Sequence, residues 1–285
     1  MHSDYRSLGT SQELIDDAAR GFYRCCMSIL NTALPFAPWV NPRLRRLPGV
    51  MPLARADWLM VDDAYAEQMA ERARLLATRE ADVMALCPEA EAAADELLDE
   101  VLRDLPAHGF DITPEAIRRP DGVSIRPDPD RPLWTLGHLL QADFCILQKH
   151  GPEHVLTGAV LCFPSSWTLT EKLGKPMMRI HVPVESYTED MGARVQRMFD
   201  LMRPEQPLWR ANLLRYTNPA LYQPRAEFAP KDKDGGGDFI RSERQCLLKL
   251  PRTGAVIFSI HTAQVRRADL TAPERAALAE IDASA

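Results

Sequence analysis

The chain of 285 residues has no long apolar run: its longest, such as residues 159–164 and 255–260, fall far short of the roughly 20 residues that a spanning helix needs. Its first four residues, Met1-His2-Ser3-Asp4, lack the charged region followed by an apolar stretch that marks a secretory leader. It also lacks an excess of positive charge. The 34 Lys and Arg are outnumbered by 40 Asp and Glu, giving a net charge of -6 with the two signs interspersed, so there is no electrostatic footprint for nucleic acid. Six cysteines, at positions 25, 26, 87, 145, 162 and 246, form neither a CxxC pair nor the spacing of a disulfide scaffold. Cys145, Cys162 and Cys246 lie within apolar runs, where a free thiol behaves as a small hydrophobe. The expected setting is a reduced one, the cytoplasm, with no membrane and no nucleic-acid partner. A redox role for the vicinal pair Cys25-Cys26 is disfavoured by the mixed helical sequence around it.

Familiar catalytic signatures are missing too. There is no Gly-x-Ser-x-Gly elbow, and Ser165-Ser166 follow Pro164 in a turn, which argues against a serine hydrolase. His150 and His154 are four apart but span Gly151-Pro152, so they are expected in a loop and not on one helical face. The glycine-rich stretch at 231–238 has no preceding strand and no following Lys-Ser or Lys-Thr, so it is not a phosphate cradle.

What the chain does have is a change of pattern along its length. After an N-terminal helix, residues 31–56 carry five prolines, at 35, 38, 42, 48 and 52, together with Trp39 and three arginines, which predicts an extended arm lying on the body. Residues 62–105 read as two helices separated by Pro88, one with Tyr65, Met69, Leu75 and Leu76 on its apolar face, the other with Leu97, Leu98, Val101 and Leu102. Past a Pro- and Asp-rich link at 125–132, runs of strand length appear at 144–147, 159–163, 178–184, 239–250 and 255–261. These predict one antiparallel sheet. Pro251-Arg252-Thr253-Gly254 is a natural hairpin turn between the last two runs, and residues 190–202 form an amphipathic helix with Met191, Val195, Met198, Phe199 and Met202 on one side. The fold class is α+β, with three regions expected at 1–60 (helix and arm), 61–125 (helical) and 126–285 (sheet), together forming one globule.

Strand alternation sorts the polar residues. In the 178–184 run, His181 shares a face with Arg179; in the 239–250 run, Arg241, Glu243 and Gln245 share one face and Ser242, Arg244 and Cys246 the other. His181 stands in an apolar stretch and therefore needs a partner. An isolated buried histidine more often makes an ordinary hydrogen bond than a metal bond. Both roles stay open on these residues alone.

Further strings bear on the choice. Residues 51–76 (MPLARADWLMVDDAYAEQMAERARLL), LLQADFCIL at 139–147, FPSSW at 163–167, EKLGKPM at 171–177, IHVPVESY at 180–187 and RSERQCLLKLPRTGAVIFSIHT at 241–262 occur in this order over most of the chain. In order and spacing the sequence resembles the haem-dependent oxidative N-demethylase family. The resemblance implies a PAS-like antiparallel sheet with packed helices holding haem b. It implies His181 as the axial ligand of the iron, with Arg179, Arg241 and Arg244 as cofactor-binding residues suited to the propionates and Glu243 and Gln245 as candidate catalytic residues in a polar network at the pocket. The implied activity is that of a monooxygenase: with O2, an N-methyl group of a small amine is oxidised to a carbinolamine, which collapses to formaldehyde and the demethylated amine. With no nicotinamide or flavin fingerprint and no iron–sulfur spacing in the chain, NADPH, flavin and iron–sulfur centres are expected only in a separate reductase partner. A haem sensor or haem-binding protein without turnover is the alternative. The chain departs from the family strings at Ala142, Leu213 and His261, changes of charge and shape expected to affect the substrate if those positions line the pocket.

Overall fold

The computed structural model describes residues 28–44, 49–184, 186–230 and 237–283. The predicted N-terminal helix, Cys25-Cys26 and most of the glycine-rich stretch lie outside them. The arm begins with a single 3-10 turn at Pro38–Val40, where the Trp39 indole is buried and its Nε1 donates to the Glu274 carbonyl at 2.9 Å. It then adds a short edge strand, β1 (Met51–Pro52), to the main sheet.

Helix α1 (Tyr65–Thr78) buries Tyr65, Met69, Leu75 and Leu76, as its spacing predicts. A short α2 (Glu80–Val83) leads into β2 (Met84–Leu86), and α3 (Glu91–Asp104) buries Leu97 and Val101. Three two-residue strands, β3 (Asp111–Ile112), β4 (Ile117–Arg118) and β5 (Ser124–Ile125), make a small antiparallel sheet before α4 (Pro132–Leu139). The long hairpin β6 (Asp143–His150) and β7 (Glu153–Val160) follows. A crossover carries α5 (Leu169–Lys172), α6 (Met177–Ile180) and α7 (Glu189–Leu201) to β8 (Leu208–Tyr216). Strands β9 (Phe239–Lys249) and β10 (Val256–Arg266) form the predicted hairpin, Gly254 taking φ 71° in its turn, and α8 (Ala272–Asp282) closes the fold.

The main sheet has seven strands in the order β1-β8-β9-β10-β6-β7-β2, antiparallel throughout. One face packs on α1, α3 and α4 through Phe144, Ile146, Leu248 and Ile257. The other meets α7 and the crossover through Leu147, Leu156, Leu247, Val256 and Ile260, joined by Phe199 and Met202. Beneath α1 a buried pair, Arg72 Nη1 to Asp143 Oδ1 at 2.5 Å, ties that helix to the sheet. The same carboxylate accepts the backbone N–H groups of Cys162 and Phe163 at 2.7 and 2.9 Å, and the strand predicted at 159–163 is corrected to β7, which begins at Glu153 and ends at Val160.

Two further sequence expectations are corrected. Residues 178–184 are not a strand. Pro176 holds an extended backbone just before Met177, the next four residues coil into one helical turn, and Pro183, lacking an N–H, ends any continuation. His150 and His154 do not lie in a loop: they sit on the facing ends of β6 and β7 across the Gly151 turn, and His154 is buried with its Nδ1 2.8 Å from Gln196 Oε1.

Candidate functional site

Between the α7 face of the sheet and the loops around it lies a cavity of about 1050 Å³. That is at the top of the ~300–1,000 Å³ range usual for small-molecule and cofactor sites. Its apolar wall comes from Leu247 of β9 and Phe258 and Ile260 of β10, residues brought to one face by strand alternation. Met177, Ile180 and His181 of the α6 turn form another part of the lining.

His181 caps α6, and its Nδ1 lies 2.9 Å from the Met177 carbonyl. A carbonyl only accepts, so Nδ1 carries the proton and the lone pair of the neutral ring is on Nε2, for which the described residues offer no hydrogen-bond partner. The imidazole stacks on Tyr187, centroids 4.0 Å apart and planes 15° from parallel. Burial holds the His181 pKa below its ordinary value, and the positive charges of Lys172 and Arg210 push it the same way. A neutral imidazole with one nitrogen fixed by a carbonyl and the other open is the form a metal centre needs.

The turn carrying His181 is held from outside. Lys172 Nζ donates to the Ile180 carbonyl at 2.8 Å and to Glu227 Oε1 at 3.0 Å, while Arg179 grips both oxygens of Glu227 at 2.7 and 2.8 Å. Those bonds hold the Glu227 carboxyl at a pKa of about 2. Arg179 therefore does not share a face of a strand with His181 and does not line the cavity; it is half of a clamp on the turn.

On β9, Glu243 and Gln245 do line the cavity, as alternation predicts. The Glu243 carboxylate is engaged at both oxygens, with Arg241 Nη2 at 3.0 Å on one side and Asn212 Nδ2 and Gln245 Nε2 at 2.8 and 3.3 Å on the other. Arg241 shares the face but lies wholly buried toward the start of the strand, donating to the carbonyls of Leu221 and Phe163 besides its ion pair. Arg244 projects from the opposite face, where it donates to the carbonyls of Trp58 and Asp57 at 3.0 and 2.5 Å and stacks on Trp209. Neither lines the cavity. Ala142, Leu213 and His261 do not line it either. His261 Nε2 is 2.8 Å from Asp62 Oδ2 on the far face, and Leu213 packs near Trp39 and Ile240.

Among the cavity residues that escaped the sequence analysis are the arginines Arg210, Arg215 and Arg225. Arg210 sits on β8, in register with Gln245, on a strand whose sequence alternates poorly. Its signal was the Arg-x-Asn string at 210–212, which places Arg210 and Asn212 on one face. A histidine with an open Nε2, large apolar walls and guanidiniums with buried, unbonded Nε atoms fit an amphipathic metalloporphyrin such as haem.

The model of the family described as haem-dependent oxidative N-demethylase, alpha subunit-like, matches residues 49–283. The chain belongs to this family. The match takes in every strand of the main sheet, the α6 turn with His181 and the whole cavity wall. Oxidative N-demethylase character and dependence on haem come with the family's description; the substrate does not. Among the described residues no helix is long and apolar enough to cross a membrane.

Proposed function

We propose that the protein is the oxygenase component of a haem-dependent oxidative N-demethylase system in the cytoplasm, acting on a small methylated amine. The observation that carries this function is the His181 ring at the cavity wall, its Nδ1 proton directed to the Met177 carbonyl and its Nε2 left open. In the proposed site His181 would hold the iron of haem b through its open nitrogen. The Met177 carbonyl fixes its tautomer, and the Lys172–Glu227–Arg179 clamp fixes the turn that presents it. Haem bound there supplies activation of O2 and oxidation of an N-methyl C–H bond. In balance, the N-methyl amine, O2, two electrons and two protons give the demethylated amine, formaldehyde and water. Leu247, Phe258 and Ile260 exclude bulk water, and the saturated Glu243 network gives the wall polar groups that stay in place. Glu243 and Gln245 remain the candidates for contact with substrate.

A PAS-like sheet is part of the proposal, supported by strand order. Counting β6, β7, β8, β9 and β10 as 1 to 5, they lie in space as 2-1-5-4-3, with the crossover helices between the second and third on one face. The electrons come from a separate reductase carrying flavin or iron–sulfur centres and using NADPH, in keeping with a family described by an alpha subunit.

The test uses full-length protein expressed with ample haem. A Soret band is expected, and formaldehyde should form from members of a methylated-amine panel once a flavin reductase and NADPH are added. Haem-loaded protein that binds carbon monoxide or nitric oxide but oxidises no amine is a sensor instead. The absence of any Soret band removes haem from the account.

A further inference from the structure

Among the described residues three arginines line the cavity, and one of the three has an acid. Arg215 pairs with Asp282. Arg210 and Arg225 have no carboxylate partner among the described residues, and the Nε of each is buried without an acceptor. Among the described residues the sole bond Arg225 makes is from Nη1 to the Ala229 carbonyl at 3.0 Å. Among them Arg210 makes none, and the acid whose charge reaches it, Glu243, is already taken by Arg241, Asn212 and Gln245.

Elsewhere the more deeply buried cations have partners for their charge. Deeply buried Arg72, Arg119, Lys172 and Arg241 each meet a carboxylate, and Arg244 meets two carbonyls. A guanidinium cannot escape by losing its proton, so a desolvated one without a partner opposes folding until something anionic arrives. The planar fork matches a carboxylate best. A protonated amine is the wrong occupant for these two groups, because like charges repel. Were the charges left bare, they would also oppose entry of such a substrate.

We propose that Arg210 and Arg225 receive the two propionate carboxylates of the porphyrin, and so perform the anchoring that Arg241 and Arg244, with their donors committed to the core, do not. This inference rests on the haem proposal above. It gives Arg210 and Arg225 two functions, to set the orientation of the macrocycle and to have their own charges cancelled by it.

The experiment is a Soret titration of full-length apo-protein with haem and with its dimethyl ester, whose propionates carry no charge, for wild type, Arg210→Gln, Arg225→Gln and the double variant. Wild type should prefer haem over the ester by roughly tenfold or more for each charge-assisted contact. Each single variant should lose about that factor for haem and little for the ester, and the double variant should bind both alike. Thermal unfolding of the apo-variants should be unchanged or slightly raised, since an unpaired charge has been removed. Wild type that binds haem and ester equally, or variants that lose both in equal measure, would overturn the anchoring role while leaving haem binding intact. Wild type that binds neither porphyrin overturns both proposals together.

Discussion

The two faces of the main sheet hold their buried charges in different conditions. On the face under α1 and α3 each buried charge meets a partner, even where a single nitrogen such as Arg72 Nη2 or His261 Nδ1 is left over: Arg72 with Asp143, His261 with Asp62, the Trp58 indole with Ser259, Arg244 with two carbonyls. On the face toward α7 a large cavity remains, and around it stand a histidine with an open nitrogen and two guanidiniums without acids among the described residues. Polarity in the interior therefore does not by itself mark function, since a matched pair is a structural strut. What marks the site is polarity left unmatched beside empty volume.

The comparison breaks first at His181. His181→Ala should abolish stoichiometric haem retention or replace the histidine-ligated ferric spectrum altogether, and added imidazole should restore part of it. His150→Ala, at an exposed position on the hairpin, should change neither. A normal spectrum from the His181 variant would remove the centre of the proposal.

On the matched face the expected loss is of stability. Asp143→Asn leaves the fully buried Arg72 unpaired and weakens the acceptor for two backbone N–H groups, a change of ~3–5 kcal/mol. A fall in Tm of roughly 10 °C should accompany it. The spectrum of the haem that is bound should not move. A shifted spectrum at unchanged Tm would mean that the two faces are not separable.

How far this division was legible in the sequence depends on what each signal encodes. Apolar spacing located α3 and α7 within a few residues and found the body of α1, and the Pro-Gly turn located the β9–β10 hairpin, because burial and turn chemistry are written locally. The stretch read as helical up to Pro88 turns into α2 and strand β2, and the rest of the region expected to be helical carries β3–β5. The 178–184 segment misled because its β-branched residues suggest a strand, while the prolines at 176 and 183 leave room for only one helical turn. The histidine was found even so, through its residue type and the resemblance of its surroundings. β8 was missed since both of its faces carry apolar and charged residues, and Arg210 was lost with it. Alternation gave Arg241 the right face but says nothing about depth along the strand, which is what removes it from the cavity. Which arginine finds an acid is settled by contacts between distant segments, and no local pattern records it.

A smaller effect is expected at the clamp. Glu227→Gln keeps the shape but gives up the ionic grip on Arg179 and Lys172, so the α6 turn should loosen without the core being touched. Haem should dissociate about tenfold faster, in line with the loss of a group that orients a metal ligand, and Glu227→Asp should recover little because the fork geometry is lost. If dissociation is unchanged, the clamp serves only the loop.

Acid should act on His181 in a definite sense. Its folded pKa is depressed, so the unfolded chain takes up the proton first. The contribution of the neutral ring to stability is then full above the ordinary value of roughly 6.5 and is lost as the pH falls from there toward the folded pKa. Histidine ligation in the ferric spectrum should accordingly survive at pH 6.5 and fail only on further acidification. A ligation change centred above pH 6.5 would contradict a buried, cation-flanked ring.

The smallest effect is expected where the sequence departs from its family. Ala142, Leu213 and His261 all lie off the cavity, and His261 is spent on Asp62 on the matched face. Leu213→Trp adds bulk against the Trp39 and Ile240 cluster, where overpacking costs about 1–3 kcal/mol, yet it brings nothing nearer to a bound amine. The order in which a panel of methylated amines is oxidised should therefore be the same for Leu213→Trp and wild type, whereas Ile260→Phe, which fills cavity space directly, should reorder it. A reordering by Leu213→Trp equal to that of Ile260→Phe would show that the edge of the sheet shapes the pocket, and the contrast between its faces would have to be redrawn around β8.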